Sequence, residues 1–88
     1  IDLAFVVDEG VAAGDVAETL RRAAGDVLEE VRLFDVFRSD ALGAGRKSLA
    51  FALRFRAPDR TLTDDEVGEI RRQCVEAAAR EHSGELRG

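Results

Sequence analysis

Val31-Arg32-Leu33-Phe34-Asp35-Val36-Phe37-Arg38, followed after a polar loop by Gly45-Arg46-Lys47-Ser48-Leu49-Ala50, decides how this chain folds. Both runs alternate in character and carry β-branched or aromatic residues, as half-buried strands do. The link from Ser39 to Gly45 contains Gly43 and Gly45, so the two runs read as a hairpin. One face of such a pair can be apolar for packing. The other then carries an acid, an aromatic ring, a hydroxyl and several cations. That mixture suits a planar, polyanionic partner such as unpaired RNA bases, and patterning alone goes no further than permitting an RNA-binding sheet.

Outward from the hairpin the pattern completes itself. Ile1 to Asp8 alternates as a buried strand, and Glu9 to Gly14 reads as a loop. Asp15-Val16-Ala17-Glu18 has the acceptor-x-x-Glu spacing of a helix start, with Val16, Leu20, Ala23 and Ala24 following on one side. Gly25 stops that helix. An extended run then covers Val27 to Arg38, and a third strand covers Arg46 to Ala57 until Pro58 ends it. Leu49, Phe51, Leu53 and Phe55 share one face of the third strand, with only the leading Lys47 out of pattern. Thr63-Asp64-Asp65-Glu66 is a capping box, and Val67, Ile70, Cys74, Ala77 and Ala78 form the buried stripe of a helix reaching about His82. Gly84 to Arg87 reads as a final edge strand. The order β-α-β-β-α-β is the ferredoxin-like split βαβ pattern of an α+β fold: an antiparallel sheet with two helices on one face, spanning 1–88 as one domain.

Strand parity then selects candidate residues. With Phe34 and Val36 meeting the helices, Asp35 and Phe37 face outward beside Ser48 of the partner strand. A ring there can stack on a base, and a carboxylate suits the amino and imino donors of a guanine edge. Ser48 can donate or accept, while Arg38, Arg46, Lys47 and Arg54 are placed to meet phosphate or ribose oxygens. Val31 and Leu33 share the parity of Asp35, so covering them requires a bulge or a partner. Periodicity also leaves Phe37 open to a role as core satellite or interface anchor, and the cations open to being solvated surface.

Composition narrows the classes. The 88 residues are 45% hydrophobic and 35% charged, as expected of one folded globular domain. No apolar stretch approaches the roughly 20 residues that cross a bilayer, and no signal-peptide pattern opens the chain. It starts at Ile1 within a strand, without Met, which predicts a piece of a longer protein. One Cys cannot form an internal disulfide and fits a reducing, cytoplasmic setting. The net charge of −5 is unevenly spread: Arg32 to Arg60 holds seven Lys/Arg against three Asp, a local +4, and the remainder sums to −9. Phosphate contact depends on the local field. Catalysis finds little support, and neither catalytic nor metal-binding residues are expected. His82 reads as surface or capping, Cys74 as a core thiol, and Asp64 to Glu66 as helix capping; no His/Cys cluster has zinc-ligand spacing.

Taken in order, Asp2-Leu3-Ala4-Phe5, Leu33-Phe34-Asp35-Val36-Phe37, Arg46-Lys47-Ser48-Leu49-Ala50, Ala57-Pro58-Asp59-Arg60-Thr61-Leu62-Thr63-Asp64 and Glu85-Leu86-Arg87-Gly88 resemble one family. It is the C-terminal ferredoxin-fold anticodon-binding domain of the bacterial phenylalanyl-tRNA synthetase beta subunit. The resemblance implies docking on the anticodon stem-loop of phenylalanine tRNA. Asp35 and Ser48 would then bond the wobble guanine, Phe37 would stack, and Arg38, Arg46 and Lys47 would support the RNA. It also implies an alpha-two beta-two parent whose ATP- and magnesium-dependent chemistry sits on the alpha subunit, with no cofactor in this domain. The family commonly has Tyr where Phe37 stands and Lys where Arg46 stands, so a hydroxyl contact is lost while stacking survives. Two other readings share the element order. An RNA-recognition-motif-like binder would need open-face aromatics on the first and third strands, where Phe5 and Phe51 have the apolar parity instead. A small-molecule regulatory or dimerisation module is the other alternative.

Overall fold

A computed structural model describes residues 1–87; Gly88, the last residue of the expected domain, lies outside them. The elements are β1 (Asp2–Asp8), α1 (Ala13–Ala24), β2 (Leu28–Phe37), β3 (Arg46–Phe55), α2 (Asp64–His82) and β4 (Glu85–Leu86). The four strands form one antiparallel sheet in the order β2-β3-β1-β4. This is the expected ferredoxin-like arrangement.

Alternation builds the core. Leu3, Phe5 and Val7 of β1 meet Leu49, Phe51 and Leu53 of β3 on one face, beneath Val16, Leu20 and Ala24 of α1 and Cys74 and Ala78 of α2. Burial pushes the Cys74 thiol up to about 11, which leaves it protonated and inert. Thr19 is a buried polar exception that joins the helices. Its Oγ1 lies 2.7 Å from Nε2 of His82 and 3.0 Å from Oε1 of Glu81. Arg22 donates to that carboxylate and to the Thr19 hydroxyl, and its guanidinium holds Glu81 below the ordinary carboxylate value. His82 therefore ties α2 to α1 and is not a bare surface residue.

Thr63 caps α2 as expected: its hydroxyl accepts from the Glu66 amide at 3.2 Å while the Glu66 carboxylate accepts from the Thr63 amide at 3.1 Å. Gly25 closes α1 with φ of 75°, donating to the Arg21 carbonyl. Asp15, however, is no cap. The helix starts two residues earlier at Ala13, behind Ala12, which offers no side-chain acceptor. Asp15 occupies the first turn instead, where its charge favours the positive end of the helix dipole.

Strand β2 departs from simple alternation. Its register against β3 shifts between Leu33, opposite Phe51, and Asp35, opposite Ala50, leaving Phe34 as the extra residue of a β-bulge. Before the bulge Val31 and Leu33 have the parity of the helix side; after it Asp35 and Phe37 have the parity of the open side. The bulge thus separates their parity from that of Asp35; Val31 is partly buried, while Leu33 stays exposed on the helix side. The expectation that Phe34 and Val36 pack under the helices is overturned, since both are exposed. Phe34 is expelled by the bulge. Val36 lies opposite Leu49 on the helix side, but the helical layer stops short of the distal half of this edge strand.

Candidate nucleic-acid interface

The open face has a floor of small residues. Ala4 of β1 stands opposite Ala50 of β3, and Asp2 opposite Ala52, while Val6 faces Ser48. Phe5 and Phe51, the rings an RNA-recognition motif would present, lie in the core. Aromatic groups on the open side come instead from the edge strand β2, where Phe37 pairs directly with Ser48 and Asp35 with Ala50. Asp35, Phe37 and Ser48 are thus brought onto the same face and within one step of each other in register.

Ser48 is less accessible than expected. It is 2% exposed although no helix covers its face. The chain's last described residue reaches across this face. The Arg87 amide donates to the Ala4 carbonyl, anchoring it beside β1, and its guanidinium carbon lies 4.7 Å from the centroid of the Phe37 ring. Since β3 and β1 separate β2 from β4, that contact must pass over the floor between them. The Arg87–Phe37 contact therefore crosses β1 and β3, the strands that carry Val6 and Ser48. No local pattern in the sequence points to Arg87; the pairing of β4 with β1 is what delivers it.

The expected cations divide. Arg38 donates from Nε to Oε1 of Glu9 at 2.8 Å, with its Nη2 paired to the same oxygen at 2.6 Å, which raises its own pKa and lowers that of Glu9. Its charge is spent fastening the hairpin to the β1–α1 loop, where Glu9 also donates its amide to Gly45. Arg46 shares the open-face parity, opposite Asp8, and lies 3.7 Å from Glu85. Arg54 is held between Glu29 and Glu30, each at 3.3 Å. Lys47 falls opposite Val7 and so belongs to the helix side, away from Ser48. Among the described residues, Arg32 and Arg87 form no ion pair. Both lie over aromatic rings, Arg32 at 6.0 Å from the Phe34 centroid.

Other features do not compete with this surface. The concavity of about 560 Å³ lined by Ile1, Leu53, Phe55, Leu62 and Val67 lies at the far end of β3 from Ser48. Among the described residues no three His, Cys, Asp or Glu side chains group as a metal site, and no helix is long and apolar enough to cross a membrane.

A family model described as the ferredoxin-fold anticodon binding domain matches residues 1–87. The chain belongs to this family. It is similar to the phenylalanine–tRNA ligase beta subunit of Corynebacterium glutamicum, at 53% identity over 87 residues, which is 99% of this chain and 10% of that protein. The beta subunit of Thermobifida fusca is 54% identical over the same shares. That of Corynebacterium diphtheriae is 60% identical over 78 residues, covering 89% of this chain and 9% of the relative. The anticodon-binding fold here therefore spans about a tenth of the length of such beta subunits.

Proposed function

We propose that this domain is the anticodon-reading module of a phenylalanine–tRNA ligase beta subunit and that it docks on the anticodon stem-loop of phenylalanine tRNA. The observation that carries the reading is the pairing of Phe37 with Ser48, beside Asp35 opposite Ala50, on a sheet face free of helices in a member of this family. Asp35 accepts from the amino and imino groups of a guanine edge, and Phe37 supplies the stacking plane. Ser48 joins once Arg87 lifts from the ring, with Arg87 then turning toward RNA phosphate. Arg46 flanks the same face. Arg38 acts indirectly by holding the hairpin, and Lys47 contributes only general positive potential.

In this reading the domain supplies binding and no bond-making step. ATP- and magnesium-dependent aminoacylation belongs to the alpha subunit of an alpha-two beta-two enzyme acting in the cytoplasm. The test uses the full-length protein that carries this chain. Asp35→Ala and Phe37→Ala should each weaken binding of the stem-loop by about 1–3 kcal/mol at moderate salt while leaving thermal unfolding nearly unchanged. Undiminished affinity in both variants removes the assignment.

A further inference from the structure

Among the described residues six large hydrophobic side chains are exposed, and four of them, Leu33, Phe34, Val36 and Phe37, fall within five consecutive residues of β2. Scattered singly they would need no explanation, but clustered on an edge strand they mark a contact surface. Phe34 is the most exposed of them at 47%, and it is so because the bulge removes it from the alternation. Bulges beside binding sites commonly serve to re-aim a side chain. The Phe34 ring lies near the guanidinium of Arg32, an open-face residue opposite Ala52. Arg32 thus stands on the side that carries Asp35 and Phe37, with the exposed Phe34 ring 6.0 Å from its guanidinium at the same edge.

We propose that Phe34, with Arg32, is a second stacking platform, which takes the nucleotide next to the one held at Phe37. The inference rests on the anticodon-reading assignment above and extends it from one base to two. Its physical basis is the repetition of one device. Each platform pairs an exposed ring with an arginine that has no carboxylate partner among the described residues. The ring offers a sequence-tolerant face to a base, and the guanidinium, already over the ring, meets the adjoining phosphate or the far side of that base. Neighbouring nucleotides of a loop can be splayed onto separate supports in this way. The carboxylate of Asp35 lies between the platforms and reads only the base at Phe37. The second platform therefore adds affinity without strong base preference.

The probe is an anticodon stem-loop of phenylalanine tRNA carrying 2-aminopurine at one loop position at a time, bound to the full-length protein. Two neighbouring positions should change fluorescence on binding. Phe34→Leu, which keeps an apolar side chain but no ring, should abolish the change at one position and weaken binding about 5- to 100-fold. Phe34→Trp should retain both, and Phe37→Leu should abolish the other position. Arg32→Ala should lower the slope of log affinity against log salt by about 1. If Phe34→Leu leaves affinity and both signals unchanged while Phe37→Leu loses one, the second platform is wrong and the reading at Phe37 stands. If neither substitution changes binding or fluorescence, the anticodon-reading assignment fails, and the platform with it.

Discussion

Phe5 and Phe51 face the helices and are fully buried, whereas Phe34 and Phe37 stand on the uncovered edge strand at 47% and 39% exposure. All four rings belong to one sheet, but their physical roles differ. A ring beneath a helical layer contributes through area removed from water and through dispersion attraction in a close-packed interior. A ring left at an edge gains little from folding and keeps its face available to another molecule. The contrast shows how a small domain divides its duties: the helix side holds the fold, and the open side keeps a floor of small residues that no helix covers.

The largest expected effect tests this division directly. Phe51→Ala should cost about 3–5 kcal/mol in unfolding free energy, measured by urea denaturation, because it opens a cavity between β1, β3 and the helices. Phe37→Ala should cost less than about 1 kcal/mol in the same experiment. Equal losses would mean that the Arg87–Phe37 contact is part of the core, and the proposed reading surface would then be structural.

A second, smaller contrast separates the arginines. Arg38 is engaged by Glu9, while Arg87 lies on a ring and has no carboxylate partner among the described residues. Arg87→Ala should therefore reduce the salt slope of stem-loop binding by about 1 and expose Ser48 to solvent. Arg38→Ala should leave that slope unchanged and slightly loosen the hairpin, seen as faster amide exchange at Glu9, whose amide bonds Gly45. If the two variants gave the same slope change, the distinction between committed and available cations would fail.

Much of the fold could be read from the sequence because its determinants are local. The alternation at Leu49, Phe51 and Leu53, the Thr63–Glu66 cap and Gly25 at the end of α1 each depend on residues a few positions apart. The bulge left a trace as well: Val31 and Leu33 could not share a face with Asp35 if β2 ran regularly. Which residue would be expelled was not legible, because it depends on the register against β3. Asp15 misled because its spacing to Glu18 mimics a cap, while backbone bonds from Asp15 and Val16 to the Ala12 carbonyl start the helix earlier. The approach of Arg87 to Phe37 had no sequence signal, since strand order alone brings those residues to one place.

The smallest effect concerns the helix that closes the covered face. The Glu66 carboxyl is held below its ordinary value of 4.5, first by the Thr63 amide and then by the Arg60 guanidinium. A folded-state pKa that is depressed stabilises the protein above the unfolded value, and that stability is lost as pH falls through the folded one. Glu66→Gln keeps an acceptor for the Thr63 amide but cannot titrate. Urea denaturation from about pH 7 down to about pH 3 should show the unsubstituted protein slightly more stable than the Gln variant above 4.5, with the gap closing below it. Thr63→Ala should behave differently, costing about 1 kcal/mol from loss of the hydroxyl acceptor even where Glu66 is fully ionised. A gap between the protein and its Gln variant that stays constant across this range would show that the cap acts through geometry alone. Stem-loop affinity at neutral pH should be the same in both variants, because the capping box lies on the helix layer and the proposed reading groups lie on the opposite face of the sheet.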